Sequence, residues 1–167
     1  MEKITNTLAG YLRMQFEAGI DALQIFDSWH SLCPKDKAWE WSLKWIKQVI
    51  REGNEKGSVI LYAKSPQDRI RLLAESGADA LSIDEKADLG KTRSILPQPF
   101  ALQGNLRPEI LETNPSQVRR ETHELLRKMK GDKAHVLNLG HGIRPAAKIE
   151  CMEALVSANQ GFEEHFQ

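Results

Sequence analysis

Apolar residues recur along this chain with two alternating periods, about 3.6 and about 2 residues, which are typical of helices and of strands. Short apolar runs predict strands at 22–26, 58–63, 80–83, 100–106 and 136–139. Segments with the helical period predict helices at 3–18, 36–52, 66–76, 85–91, 115–130 and 147–159. Because strands alternate with helices over short connections, the pattern predicts a parallel sheet covered by helices.

Turn-forming residues mark the ends of these predicted elements. Gly19, Gly53 and Gly77 stand where helices end, a position that favours glycine. Ser65-Pro66 and Asn114-Pro115 each predict a helix start, with the polar residue as N-cap and the proline in the first turn.

The chain also contains an internal similarity. Segment 17–25, EAGIDALQI, resembles segment 75–83, ESGADALSI, and each ends a helix at glycine before entering a strand. A repeated unit of this kind favours a (β/α) barrel, although the same short sequence is also a common helix-to-strand turn. A complete (β/α)8 barrel needs about 250 residues. This α/β chain has 167 residues and five predicted strands, so it is either an open sheet or an incomplete TIM barrel.

The composition fits one soluble domain of 18.9 kDa. Its 23 basic and 23 acidic side chains leave no net charge, which argues against binding to nucleic acid or to an anionic membrane. No apolar run approaches the roughly 20 residues that cross a bilayer, and the first ten residues lack the apolar core of a secretory signal. Cys33 and Cys151 fit reduced thiols, so we expect a cytoplasmic protein.

Candidate chemistry lies at the carboxyl ends of the predicted strands, where parallel α/β folds gather their functional residues. These ends carry Asp27-Ser28, Lys64-Ser65, Asp84-Glu85, Gln103-Gly104-Asn105 and the segment 138–142. His141 stands between two glycines, so a ligand can approach it closely and its imidazole can donate, accept or bind a metal. The alternative is a loop histidine that is hydrogen-bonded to its own turn. Asp27-Ser28 is open to two similar interpretations, a substrate contact or a loop cap.

Several common chemistries have no motif in this chain. There is no G-x-G-x-x-G after a strand and no P-loop, and Ser28 lacks the flanking glycines of a nucleophile elbow. His30 and Cys33 have H-x-x-C spacing, but no second pair supports a metal site. Three tryptophans are predicted to pack within a helix: Trp39, Trp41 and Trp45.

Five segments together carry a resemblance to a known family: QIFDSW (24–29), LYAK (61–64), GADALSID (77–84), ALQGNL (101–106) and NLGHGI (138–143). In this order and spacing they resemble uroporphyrinogen decarboxylase over essentially the whole chain. The resemblance implies a (β/α)8 barrel, usually a homodimer, that acts in heme biosynthesis. Its implied reaction removes carbon dioxide from the four acetate side chains of uroporphyrinogen III to give coproporphyrinogen III. No cofactor is implied, because a protonated pyrrole ring of the substrate is itself the electron sink.

The resemblance covers only the C-terminal part of that family, with 1–160 as the barrel portion and 161–167 as a polar tail. The family's arginine-rich loop, catalytic aspartate and active-site tyrosine belong to its N-terminal part, so no catalytic residue is identified in this chain. We therefore expect an inactive portion that forms a homodimer or associates with an N-terminal half. Two substrate-binding residues carry over by resemblance: Ser28 matches a serine that hydrogen-bonds the substrate, and His141 matches a histidine near its carboxylate side chains.

Three other side chains are candidates for the remaining chemistry. Arg144 could meet a substrate carboxylate, or lie solvated in its loop. Asp27 and Asp84 are candidates for the carboxylate that balances the protonated ring, although nothing in the sequence places either beneath it.

The chain departs from the family pattern at three strand ends, and these departures are expected to reshape the mouth of the pocket. Arg107 stands where the family usually has aspartate before the proline. Glu85-Lys86 follows Asp84 where a Trp-Thr pair is common, and His30-Ser31 replaces a small, glycine-containing turn. They motivate an alternative function, a non-catalytic tetrapyrrole-binding or interaction protein. A cobalamin- or coenzyme M-type methyltransferase is a third alternative, but the H-x-C pair that binds its zinc does not occur.

Overall fold

The computed structural model describes residues 1–54, 57–64, 67–96 and 100–164. Its helices are α1 (Glu2–Glu17), α2 (Lys44–Gly53), α3 (Ile70–Ala74), α4 (Leu89–Ile95), α5 (Pro115–Lys128) and α6 (Ile149–Glu164). Its strands are β1 (Ala22–Asp27), β2 (Ser58–Ala63), β3 (Ala80–Ser82), β4 (Ala101–Gln103) and β5 (His135–Val136). The predicted alternation of strands and helices is confirmed.

The five strands form one open parallel sheet in the order β1-β2-β3-β4-β5, so each strand pairs with its nearest neighbours along the chain. A bridge between Leu106 and Leu139 extends the last pairing beyond the strands themselves. The predicted fold class, an incomplete barrel with alternating helices, is confirmed. The two segments of the internal similarity form the same turn, since Gly19 and Gly77 have φ values of 93° and 86°.

The two faces of the sheet have different chemistry because side chains alternate along each strand. One face packs under the helices and supplies the main core, where Val59, Leu61, Leu81 and Leu102 are fully buried. The other face, called the inner face below, carries mostly polar and aromatic side chains: Gln24, Phe26, Tyr62, Ser82 and Gln103. A second, smaller core joins α5 and α6 to the ends of β4 and β5.

Several predicted boundaries are wrong, each for a local reason. The helix predicted at 85–91 starts later, because the Asp88 side chain accepts a hydrogen bond from the Lys91 N–H and caps α4. The tryptophan-rich segment is helical over 38–53, but a 3-10 turn (Lys35–Lys37) precedes it and its first part is a π turn (Trp39–Leu43) that leads into α2.

Other boundaries differ towards the C-terminus. β4 and β5 are shorter than the predicted strands, and α6 continues into the predicted polar tail, as far as Glu164. The Asn114 cap of α5 is confirmed, since its side chain accepts from the Gln117 N–H at 3.0 Å. The predicted Ser65-Pro66 helix start lies outside the described residues.

The outer edge of β1 borders an apolar groove. Here α1 turns a row of exposed apolar side chains towards the sheet edge, with Ile4, Leu8 and Tyr11 each about half exposed. Trp41 and Trp45 line the other side of the same groove. In the described part of the chain, no helix is long and apolar enough to cross a membrane.

Candidate functional site

A cavity of about 380 Å³ opens on the inner face at the carboxyl ends of the strands. Its volume lies within the range of small-molecule pockets, about 300–1,000 Å³. Ser28, which follows β1, and His141, which follows β5, both line it although they lie at opposite edges of the sheet. The structure thus brings together the two residues that the sequence assigns to ligand binding. Neither Lys nor Arg is among the described residues that line this cavity.

The turn that carries His141 is held tightly against the sheet. The Gly140 N–H donates to the Leu106 carbonyl at 2.7 Å, and the Leu106 N–H donates to the Asn138 carbonyl at 3.0 Å. A Cβ on Gly140 would lie only 2.3 Å from the backbone nitrogen of Glu85. Glycine at position 140 is therefore required so that this turn can approach the end of β3.

The His141 side chain is exposed, and its Nδ1 accepts a hydrogen bond from the Gly142 N–H at 2.8 Å. This contact is the one expected of a loop histidine bonded to its own turn. The imidazole also packs edge-on against the Tyr62 ring, with the ring centres 5.9 Å apart. The local hydrogen bond therefore holds His141 in the wall of the cavity.

Tyr62 is a cavity residue that sequence reasoning missed. It lies in the apolar run SVILYA, where an aromatic residue is expected to be core, and it is only 4% exposed. Its ring lies between Phe26, at 5.8 Å, and His141. Burial, with smaller contributions from the charges of Asp84 and Glu85, raises the pKa of the Tyr62 hydroxyl to about 12. The group is thus a neutral phenol at physiological pH.

The ALQGNL segment (101–106) braces the floor of the site. Gln103 Nε2 donates to Gln24 Oε1 at 3.0 Å and to Ser82 Oγ at 3.1 Å, which ties three strands together across the inner face. Asn105 Nδ2 donates to the backbone carbonyls of Asp84 and Ala87 at 2.8 and 2.7 Å. A cis peptide joins Gly104 to Asn105. These contacts give the motif a positioning role.

Asp27 belongs to a hydrogen-bonded cluster outside the cavity wall. Its Oδ2 accepts from Ser42 Oγ at 2.6 Å and lies 3.2 Å from His30 Nδ1, and the His30 side chain is fully buried. Burial raises the pKa of the Asp27 carboxyl, but the hydrogen bonds from His30 and Ser42 outweigh burial and hold it below its ordinary value. The Asp27 carboxylate thus holds the loop after β1 in place.

The other candidates suggested by the sequence also lie outside the cavity wall. Asp84 is 6% exposed and its Oδ1 accepts from the Lys86 N–H at 2.9 Å. Arg144 pairs with Glu109 at 2.6 Å and with Glu112 at 2.9 Å. This geometry favours a structural role for Arg144.

The three departures from the family pattern do not line the cavity either. Arg107 forms a two-point ion pair with Glu121 of α5, at 2.7 and 3.0 Å. His30 packs inward, and the backbone of Glu85 supports Gly140. Within the described ranges, no group of three or more His, Cys, Asp or Glu side chains could hold a metal ion.

The fold and the cavity define a class: a parallel α/β half-barrel with its site at the carboxyl ends of the strands. Residues 1–162 match the family model described as uroporphyrinogen decarboxylase (URO-D), and the chain belongs to that family. The predicted family membership is confirmed.

Curated relatives agree with this assignment. A uroporphyrinogen decarboxylase of Coxiella burnetii is 35% identical over 167 residues, which is 97% of this chain and 46% of that protein. One from Saccharophagus degradans is 36% identical over 163 residues, 95% of this chain and 46% of the relative. The chain thus spans about half the length of these relatives and corresponds to a C-terminal-like part.

A solved structure is similar in fold. A methyltransferase from Methanosarcina mazei superposes with a TM-score of 0.82 at 23% identity, covering 95% of this chain and 47% of that protein. At this level of identity the likeness concerns the fold alone. It again matches about half of a longer chain.

Proposed function

We propose that this chain forms the tetrapyrrole-binding wall of a uroporphyrinogen decarboxylase site, in which Ser28 and His141 contact the substrate. The observation that carries the proposal is their convergence on one cavity from opposite edges of the sheet. Family membership supplies the substrate class. Phe26, which is 68% exposed at the same mouth, offers an apolar surface to a pyrrole ring.

The wall supplies part of what decarboxylation requires. Loss of carbon dioxide from a pyrrole acetate needs an acid that protonates the ring, a carboxylate that balances the resulting charge, and cations for the other carboxylates. His141 is a candidate donor and Ser28 a hydrogen-bond partner. Among the described residues, the cavity wall holds neither a carboxylate nor a Lys or Arg side chain. We therefore infer that turnover requires residues beyond these 167.

We propose that the additional residues required for turnover bind at the groove beside β1. Among the described residues, the outer edges of β1 and β5 have no partner strand, and unpaired strand edges associate readily with other chains. The relatives are about twice as long as this chain, so their additional length could complete the barrel here. Association with a second copy or with an N-terminal half is accordingly part of the proposal.

Binding and turnover are tested separately. Uroporphyrin, a stable oxidised form of the substrate, is titrated into the chain, and binding is followed by the quenching of tryptophan fluorescence. Trp29 contributes to this signal, since it lies beside Ser28 and is 75% exposed. We expect quenching by the wild-type chain, and roughly tenfold weaker binding for Ser28→Ala and for His141→Gln, since a hydrogen bond to a charged group contributes about 1.5–3 kcal/mol. Ser31→Ala and His123→Gln, both outside the cavity, are the matched controls.

Turnover is measured by anaerobic incubation with uroporphyrinogen, followed by chromatographic counting of product carboxylates. We expect unchanged substrate from this chain alone. Products with fewer carboxylates would refute the need for additional residues. Absence of porphyrin binding by the wild-type chain would refute the binding role itself. If the chain binds porphyrin but gives no turnover even when an N-terminal half is added, the non-catalytic alternative is favoured.

A further inference from the structure

The Tyr62 hydroxyl is a buried polar group without a partner. Tyr62 is 4% exposed, and no described residue forms a hydrogen bond with its oxygen. Buried polar atoms in native proteins are nearly always hydrogen-bonded, so an unpaired hydroxyl beside a cavity indicates a partner that arrives with a ligand or with water.

The position of Tyr62 relates this hydroxyl to the proposed ligand contacts. In the sheet register Tyr62 lies opposite Phe26 on one side and Ser82 on the other, in the middle of the inner face. Its ring packs against Phe26 and against the exposed His141 ring. Tyr62 and His141 therefore belong to the same wall of the cavity.

We propose that Tyr62 determines specificity in this site, its hydroxyl donating a hydrogen bond to the carboxylate of an acetate side chain on the bound tetrapyrrole. This inference rests on the function proposed above. An acetate carboxylate is one carbon closer to the pyrrole ring than a propionate carboxylate. We assign the acetate because its shorter side chain holds the carboxylate closer to a pyrrole ring that packs on Phe26, and the Phe26 and Tyr62 ring centres are 5.8 Å apart.

The charges around the Tyr62 hydroxyl limit the strength of the proposed hydrogen bond. A phenol whose pKa is about 12 remains protonated at neutral pH, so it acts as a neutral donor. The nearby charges of Asp84 and Glu85 oppose a bound anion. We therefore expect a modest contribution, a three- to tenfold change in affinity, rather than the larger effect of a donor in neutral surroundings.

The test combines one hydroxyl deletion with one ligand deletion. Uroporphyrin carries acetate side chains, and coproporphyrin carries methyl groups in their place. Both ligands are titrated into the wild-type chain, into Tyr62→Phe, which keeps the ring, and into Ser157→Ala, a control that removes an exposed hydroxyl of α6 outside the cavity and the groove. Thermal unfolding of each variant confirms that the fold is retained.

We expect Tyr62→Phe to weaken uroporphyrin binding three- to tenfold and to leave coproporphyrin binding unchanged, with Ser157→Ala matching wild type for both. Equal weakening for the two ligands would overturn the assignment to acetate, and unchanged binding of both would overturn the contact altogether. If the wild-type chain binds neither ligand, the proposed function fails, and this inference fails with it. If the wild-type chain binds uroporphyrin but Tyr62→Phe does not weaken that binding more than it weakens coproporphyrin binding, this inference alone fails.

Discussion

The two tyrosines of this chain lie in opposite environments. Tyr11 is 56% exposed on α1, whereas Tyr62 is 4% exposed and its pKa is raised to about 12. In the unfolded chain Tyr62 ionises near 10.0, so above that pH the unfolded state loses a proton that the folded state retains. Stability is therefore expected to fall as the pH rises from 10 to about 12.

Ultraviolet titration of the phenolate checks this directly. We expect two phases in the wild-type chain, and Tyr62→Phe should lack the later one and show a smaller loss of stability over that pH range. A single phase at the ordinary phenol pKa would contradict the buried environment of Tyr62.

The carboxylate of Asp27 makes a second residue-scale prediction. Since its folded pKa lies below the ordinary value of 3.8, its contribution to stability is present above that pH and is lost as the pH falls through the folded pKa. Removing the Ser42 donor, which lies 2.6 Å away, should cost about 1.5 kcal/mol near neutral pH and flatten the acid dependence.

Chemical denaturation of Ser42→Ala across pH 2–7 measures both effects. Ser157→Ala is the control, because that hydroxyl is exposed and donates to the Glu153 carbonyl of its own helix. Equal costs for the two variants would rule out a special role for the Asp27 cluster.

The sequence offers single residues as candidates where the backbone itself makes them conspicuous. His141 stands between glycines and Ser28 directly follows a strand, so both are visible as candidates, and the parallel sheet explains why both lie at the carboxyl ends of the strands. Tyr62 is hidden because in SVILYA a buried core aromatic and a buried site aromatic have the same pattern. Only tertiary contacts distinguish a core aromatic from a cavity aromatic. For Tyr62 these contacts are with Phe26 and His141.

At the scale of elements, the two glycines of the His141 turn provide a matched pair. A Cβ at Gly140 would lie 2.3 Å from Glu85 N, whereas a Cβ at Gly142 would meet nothing within 4 Å. Gly140→Ala forces the turn away from β3, and we expect a loss of about 2–4 kcal/mol of stability together with weaker porphyrin binding. Gly142→Ala should remain within about 0.5 kcal/mol of wild type. Urea denaturation compares them, and similar losses in both variants would show that the turn does not pack as described.

Element boundaries were predictable where one local signal dominates. β2 and the start of α5 agree with the sequence, because an apolar run and an Asn-Pro cap act alone there. The start of α4 was misplaced because the Asp88 cap competes with an earlier helical pattern. The π turn at Trp39–Leu43 has no sequence signature of its own. It places Ser42 against Asp27, a contact across 15 positions that periodicity does not detect.

At the scale of the whole molecule, the exposed groove beside β1 predicts association. Leu8 is 48% exposed in the middle of the apolar row on α1. Sedimentation velocity should show concentration-dependent association of the wild-type chain, and Leu8→Glu should reduce it without lowering stability by more than about 0.5 kcal/mol.

Val156→Glu is the matched control, since Val156 is 46% exposed on α6, away from that edge. A wild-type chain that stays monomeric at every concentration would contradict the association. Equal effects of the two substitutions would place the contact elsewhere.

The incompleteness of the barrel could be predicted by counting strands, because five cannot close a sheet that is built from eight. Which surface the missing strands leave exposed could not be predicted from the sequence. The apolar positions of α1 have the spacing of a buried helix face, yet Ile4, Leu8 and Tyr11 are exposed. The exposure of these three side chains is the reason that association is proposed at this groove.

The order of the strands also bears on how the molecule forms. Because every strand pairs with the one before it in the chain, each βα unit finds its neighbour across a short loop, and the entropic cost of closing that loop is small. The sheet can thus grow from β1 towards β5 as the chain leaves the ribosome, each new strand docking on an edge already in place. The four pairings within the sheet are therefore expected to form early and quickly, since none of them requires a long loop to close.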